Sequence, residues 1–243
     1  KLLSNKSLLL SVSGFPSNWI ESQNDEVDFG KMILIDANGS GSKHFSKGHR
    51  NVQGIEELSN GKIITTEHGP KGGDELNILT KNGNYGWPIH TYGAPYTSYF
   101  TPNIYSEGQS LVYPIFSWVP SIAISNIIQV KSFHKAWNYD LLVASLKGRS
   151  IYRIKMQNEK PVFVERVYIG ERIRDISNLL NGKIALYTDS GNLKIISVDS
   201  MRVKIGIQCR IVQVMKWGAV GSTTLYLLLP IPLPFCLDGS RWF

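Results

Sequence analysis

Asn181-Gly182-Lys183-Ile184-Ala185-Leu186-Tyr187-Thr188-Asp189-Ser190-Gly191-Asn192-Leu193-Lys194-Ile195-Ile196-Ser197-Val198 is the stretch whose reading decides the fold. Asn-Gly marks a tight turn entering a strand, the apolar run from Ile184 to Tyr187 supplies that strand, and Gly191 closes it. A second strand, Asn192 to Val198, follows at once, so the stretch is a hairpin. The same unit of Asn, two residues, apolar strand and closing Gly recurs at Asn5–Gly14, Asn60–Gly69 and Asn138–Gly148. Arg149–Ile154 is the second strand of the third unit, and Lys31–Asp36 reads as that of the first after a long insertion. Repeated short hairpins joined by loops of unequal length are the signature of β-propeller blades. A sandwich supplies similar strands but gives no reason for a repeated turn-strand-Gly unit. The expectation is an all-β chain with an incomplete propeller of about three to four blades over residues 1–198. The widest interval between repeats holds a polar, Tyr-rich loop from about Ile89 to Val112, and long loops on a rigid scaffold carry function.

Composition agrees. The chain has 243 residues, 42% hydrophobic and 19% charged, which excludes disorder for most of its length. Its 22 Gly and 11 Pro suit turns between strands better than a helical bundle. The net charge of +7 invites a nucleic-acid reading, but single Lys and Arg are scattered with no run of four and no aromatic-basic stripe. A solvated basic surface or a basic pocket for an acidic small molecule remain, and nucleic acid is not expected as a partner. Lys1–Leu10 is too short and too interrupted by Ser4, Asn5 and Lys6 for a signal peptide. Leu225–Leu237 is broken by Pro230, Pro232 and Pro234, so no membrane span is expected. A start at Lys1 rather than Met reads as a fragment or a processed product. Residues 199–243 form an atypical tail in which turn punctuation fades, although alternating Ile207, Ile211, Val212 and Val214 suit a strand. A shifted reading of the gene is one hypothesis for it. Cys209 and Cys236 permit one disulfide or two lone thiols.

Several clusters have chemical potential. Gly48-His49-Arg50-Asn51-Val52-Gln53-Gly54-Ile55 sets polar side chains in a turn. Arg50 offers a rigid fork for a carboxylate and Asn51 a bond to a carbonyl; the other reading is an Arg that caps backbone carbonyls. Glu67-His68-Gly69-Pro70-Lys71-Gly72-Gly73-Asp74-Glu75-Leu76-Asn77 combines three carboxylates with glycines able to turn carbonyls inward. Such an oxygen-rich turn suits Ca²⁺, and an acidic surface turn is the alternative. Gly83-Asn84-Tyr85-Gly86-Trp87-Pro88 reads as a turn with a packed aromatic. Ser145-Leu146-Lys147-Gly148 leaves Lys147 at a strand end. In Glu171-Arg172-Ile173-Arg174-Asp175, Arg172 and Arg174 share one face of an extended segment. Either an anion lies between them, or Glu171 or Asp175 neutralises them locally.

Taken in order, these five motifs resemble the soluble quinoprotein sugar dehydrogenases, the glucose/sorbosone and aldose sugar dehydrogenases, over about residues 5–198. The resemblance implies a six-bladed propeller, periplasmic or secreted, binding pyrroloquinoline quinone (PQQ) and Ca²⁺ in a basic axial cleft. It implies that Arg50 and Asn51 contact the quinone side and that Lys147, Arg172 and Arg174 bind the PQQ carboxylates. It further implies that the carbonyls of Gly69 and Pro70 hold a Ca²⁺ that polarises the quinone, with Glu75 and the region of Tyr85 at a second, structural Ca²⁺. The implied activity is oxidation of an aldose, passing electrons to an unknown acceptor, with Arg50 as an electrostatic contributor. The family's base is a histidine in an upstream blade whose motif is absent; His44, His49, His68, His90 and His134 lie in other contexts, and Phe15 replaces the supporting Asp. The catalytic-base blade is therefore expected outside this chain, and no turnover is expected of the chain by itself. The competing reading is a non-enzymatic propeller that binds a protein or glycan, as hedgehog-interacting proteins do. The basic set of Arg50, Lys147, Arg172 and Arg174 argues for the cofactor.

Overall fold

The computed structural model describes residues 1–14, 19–94, 110–199 and 202–210, side chains being described through residue 198. Phe15, the middle of the Tyr-rich loop, and the Cys209 and Cys236 side chains lie outside these residues. The described strands form four consecutive antiparallel sheets, each a simple meander. The first contains β1 (Leu8–Val12), β2 (Lys31–Ile35) and β3 (Ser42–Ser46). The second contains β4 (Val52–Glu57), β5 (Ile63–Glu67), β6 (Asp74–Ile78) and β7 (Phe116–Trp118). The third contains β8 (Ile124–Gln129), β9 (Leu141–Ser145), β10 (Ser150–Gln157) and β11 (Lys160–Tyr168). The fourth contains β12 (Ile173–Asn178), β13 (Ile184–Thr188), β14 (Asn192–Asp199) and β15 (Arg202–Arg210), so it runs on past Val198. Among the described residues there is no α-helix; a 3₁₀ turn, Trp19–Gln23, sits in the insertion between β1 and β2. The all-β propeller architecture expected from the repeat is what the chain forms, with four blades described.

The repeat has a physical cause. Its second residue is left-handed in all four copies, with φ of 70° at Lys6, 80° at Gly61, 68° at Tyr139 and 71° at Gly182. Glycine takes that conformation without strain, whereas Lys6 and Tyr139 take it at a cost. The preceding Asn closes the turn in three copies: Oδ1 of Asn5, Asn60 and Asn181 accepts the amide two residues on, at 3.0, 3.1 and 3.3 Å. Asn138 instead accepts from the Ser132 amide at 3.1 Å.

Among the described residues the core forms three layers, one between each pair of neighbouring blades. Leu9 and Met32 meet Val52, Leu79 and Tyr85 between the first and second blades. Ile64, Leu76 and Trp118 meet Ile124, Ile127 and Leu141 between the second and third. Ile128, Leu142 and Ala144 meet Ile173, Ile176 and Leu186 between the third and fourth. The continuous apolar run of β9 follows directly: Leu141 and Val143 face one neighbour while Leu142 and Ala144 face the other. β4, β8 and β12 are the blades' contiguous first strands. Hydrogen bonds tie neighbouring blades along this seam, Thr66 Oγ1 of β5 to the Ser125 carbonyl of β8 at 2.6 Å and Ser125 Oγ to the Ile173 carbonyl of β12 at 2.7 Å. These links bring the ends of three blades to one place.

Because Tyr139 is exposed and left-handed, Tyr139→Gly should raise stability by up to about 1 kcal/mol in urea unfolding by removing strain. Gly182→Ala should lower it by about 1–3 kcal/mol, since the added Cβ would also stand 2.4 Å from the Ser132 carbonyl oxygen.

Candidate functional site

The turn His68–Gly73 between β5 and β6 lies at this convergence. Gly69 is obligatory, because a Cβ there would stand 2.1 Å from the Gly72 carbonyl oxygen and 2.3 Å from that of Gly73. Gly72 and Gly73 take positive φ of 95° and 69° to fold the turn back. Asp74 anchors it. Its Oδ1 accepts from the Gly69 amide at 3.1 Å, and its Oδ2 accepts from the Ile122 and Ile124 amides at 3.0 and 3.2 Å. The Ile122 carbonyl in turn accepts the Lys147 amide at 3.0 Å. The Gly69–Pro70 turn and the Lys147 strand end are thus joined through one segment of the third blade.

Arg50 is buried, and its backbone is held from both sides. Its amide donates to Glu67 Oε1, and its carbonyl accepts from the Gly14 amide at 2.8 Å and from Ser13 Oγ at 3.0 Å. Its Nη1 donates to the His68 carbonyl at 3.0 Å, and its guanidinium lies 5.3 Å from the centre of the Trp87 ring. The carbonyl-capping reading of Arg50 is therefore realised. Asn51, half-buried beside it, accepts the His68 amide on its carbonyl and Gln53 Nε2 on its Oδ1. His68 Nδ1 is 3.8 Å from Asp74 Oδ1, too long for a hydrogen bond. Burial lowers the His68 pKa; the nearby Arg50 and Arg174 charges add to this against the pull of Asp74. The second and fourth blades thus bring Arg50 and Arg174 to bear on one imidazole.

Arg172 and Arg174 are half-exposed and extend side by side, as the sequence suggests, but neither Glu171 nor Asp175 neutralises them. Asp189, across the β12–β13 hairpin, accepts from both Nε atoms, at 2.7 and 2.8 Å. The hydrogen bond from Arg172, with that from Arg174 beside it, holds the Asp189 carboxyl below its ordinary range. Glu171 is engaged by Lys194 at 2.6 Å, then by Ser190 and Asn192, and is held down at about 2. Asp175 accepts from Asn126. The reason is a bulge between Ile173 and Asp175, which breaks the simple alternation and sets Arg172 beside Asp189. The terminal nitrogens of both arginines, and Nζ of the exposed Lys147, have no hydrogen-bond partner among the described residues.

The acidic cluster divides into committed and uncommitted members. Glu67 is taken by His49 and the Arg50 amide, and Asp74 by three backbone amides. Glu75 stands directly opposite Glu67 in the β5–β6 register, with Asn77 Nδ2 donating to it at 3.2 Å. Burial, reinforced by Glu67, pushes the Glu75 carboxyl up to about 8. Thr65 pairs with Asn77, and Ser117 with Glu75, on this same face. Thr65 Oγ1, Asn77 Oδ1 and Ser117 Oγ are buried without a hydrogen-bond partner among the described residues. The Tyr85 hydroxyl is spoken for: it donates to the Ile78 carbonyl at 2.7 Å and accepts the Thr80 amide at 2.8 Å. Burial pushes its pKa up to about 12. Any bond from Tyr85 to a cation therefore falls to its backbone. Among the described residues no group of three His, Cys, Asp or Glu side chains could hold a metal, so a cation beside Glu75 would need carbonyl and hydroxyl oxygens as well. Sequence reasoning missed Asp189, Thr65 and Ser117, which have no motif of their own and reach the site only through strand register.

The four successive meander sheets define a β-propeller, and comparison with known proteins names the family. The chain belongs to the glucose/sorbosone dehydrogenase family, whose model matches residues 3–197. It is 31% identical over 173 residues to the aldose sugar dehydrogenase YliI of Escherichia coli (strain K12), which is 68% of this chain and 46% of that protein. It is 49% identical over 51 residues to quinoprotein glucose dehydrogenase B of Acinetobacter calcoaceticus, 21% of this chain and 11% of that one. The apo form of the soluble aldose sugar dehydrogenase of Escherichia coli superposes with a TM-score of 0.70 at 25% identity, covering 84% of this chain and 61% of that one. The chain spans about half the length of the curated relatives it matches. No helix among the described residues is long and apolar enough to cross a membrane.

The native chain keeps a proton on Glu75 that the unfolded chain releases above the ordinary carboxylate value of 4.5. Stability of the metal-free protein should therefore fall as pH rises from about 4.5 to about 8, then level off. Glu75→Gln should remove most of that slope, measured by urea midpoints across the same range.

Proposed function

We propose that this chain is the cofactor-holding part of a PQQ- and Ca²⁺-dependent sugar dehydrogenase that oxidises aldoses to lactones in the periplasm or outside the cell. The observation that carries the reading is the half-open cation set. Lys147, Arg172 and Arg174 present charged nitrogens without protein partners among the described residues, and the single Asp189 offsets only one charge. PQQ has three carboxylates, and charge-assisted bonds from Lys and Arg suit them. When bound, PQQ supplies the two-electron acceptor for the sugar's hydride. The chain's own residues bind and orient it. Arg172 and Arg174, pre-aligned by Asp189, lose little side-chain freedom on meeting a carboxylate. Arg50 and Asn51 face the quinone side, where the Arg50 charge stabilises negative charge as it develops.

Two Ca²⁺ positions fit the residues differently. At the first, the carbonyls of Gly69 and Pro70 contribute from a turn whose carboxylate, Asp74, is occupied in shaping the backbone. At the second, Glu75 lies with Asn77, Thr65 and Ser117, whose unpartnered buried oxygens are the donor set a hard cation takes. A binding module for a protein or glycan has no need of the cation set or of this enclosed oxygen cluster.

PQQ titrated calorimetrically into the chain should bind more tightly with Ca²⁺ than with a chelator; equal affinity would remove the Ca²⁺ link. Arg172→Ala with Arg174→Ala should weaken PQQ tenfold or more, since charge-assisted bonds contribute roughly 1.5–3 kcal/mol each. Unchanged affinity would mean that Asp189 is the only partner these arginines serve.

A further inference from the structure

A buried three-residue chain adjoins Arg50. Ser46 Oγ lies 2.8 Å from His49 Nε2, and His49 Nδ1 lies 2.9 Å from Glu67 Oε2. Glu67 Oε1 accepts the Arg50 amide. The order Ser-His-Glu is that of a hydrolytic triad, but relative exposures of 3% for Ser46, 1% for His49 and 3% for Glu67 leave no room for a substrate. A different task fits. We propose that Ser46, His49 and Glu67 form a relay that fixes Arg50, making His49 a positioning residue for the cleft. The proposal rests on the reading of Arg50 as a cofactor contact.

Packing alone does not call for a histidine at this position. The ring lies against Tyr85 at 4.5 Å between centroids, a contact that a leucine or phenylalanine would also make. What they would lack is two nitrogens on opposite edges of a rigid ring. A carboxylate only accepts, so Nδ1 carries the proton and donates to Glu67, while Nε2 accepts a hydrogen bond from the Ser46 hydroxyl. Glu67 needs that donor. It faces Glu75 across the strand register in a buried site where an unpaired carboxylate oxygen would be costly. Held by His49, Glu67 keeps its other oxygen on the Arg50 amide. Gly14 and Ser13 hold the Arg50 carbonyl, and from a backbone so held on both sides the guanidinium reaches the His68 carbonyl and the Trp87 ring. Without the Nδ1 donor, Glu67 turns to another partner and the Arg50 backbone loses one of its two anchors.

Two isosteres separate positioning from packing. Asn places an amide nitrogen near the site of Nδ1, whereas Gln reaches the site of Nε2 and leaves Glu67 without its donor. Both lose the stack on Tyr85, so melting temperatures should fall alike. In crystal structures of the full chain, H49N should keep Arg50 Nη1 in hydrogen-bond range of the His68 carbonyl, and H49Q should not. PQQ affinity should stay within about threefold of wild type in H49N and drop tenfold or more in H49Q. Arg50 unmoved in both variants, or an equal affinity loss in both, would overturn the relay. If Arg50 shifts in H49Q as expected while PQQ binds equally to all three proteins, or to none, the relay stands and the cofactor reading of Arg50 fails.

Discussion

Asp74 has no exposed surface, and three backbone amides from two blades converge on its carboxylate. A charge placed so deep is tolerated only because each oxygen is hydrogen-bonded, and removing its donors would leave an uncompensated buried anion. That requirement works outward. The Gly69 amide must point inward, so the turn takes the sharp path that only Gly69, Gly72 and Gly73 permit. The Ile122 and Ile124 amides must point at the second blade, which fixes the entry of β8 and, through the Ile122 carbonyl, the backbone of Lys147. One buried carboxylate therefore sets both the proposed Ca²⁺ turn and one of the proposed PQQ cations.

The blades around it use polar groups in two distinct ways. Those that link neighbouring blades are fully paired and short in reach, as Thr66 to Ser125 and Ser125 to Ile173. They fix the separation of neighbouring blades, which the apolar layers alone would leave free to slide. Gly54 shows how tight that separation is: a Cβ there would stand 2.8 Å from the Ile127 amide nitrogen. Arg153 works similarly at the blade periphery, bonding Asp140 and Glu165 while lying over Trp137. Such groups are committed to the fold. The charged ends of Lys147, Arg172 and Arg174 are not.

The same division explains what could be read from the residues in order. The turn-strand-Gly repeat was legible because one left-handed turn, closed in three copies by an Asn side chain, recurs in four blades, even where Lys6 or Tyr139 stands in place of glycine. Leu141–Ala144 was legible as a strand of the repeat, but the burial of both its faces between neighbouring blades was not. The cations were legible as types: arginines alternating in an extended segment and a lysine at a strand end. Their partners were not. Asp189 reaches Arg172 only through a bulge, and Glu171, the obvious neighbour, is drawn off by Lys194. The acidic turn likewise advertised three carboxylates for a cation, although Glu67 and Asp74 are already bonded to protein donors. Register, which no local pattern specifies, decides which carboxylate is left over and places Thr65, Asn77 and Ser117 beside it.

Placement also separates the two proposed ligand sites by what each must displace. The cations of the third and fourth blades stand half-exposed or exposed, so an anion from solvent can reach them once the fold is complete. The oxygens of Thr65, Asn77 and Ser117 beside Glu75 are buried on the face shared by β5, β6 and β7. A cation bound there has to displace the proton that burial keeps on Glu75, so its affinity would fall as pH drops below about 8. The anion site, by contrast, draws on side chains whose backbone the fold has already fixed, and its ligand can exchange without disturbing a blade.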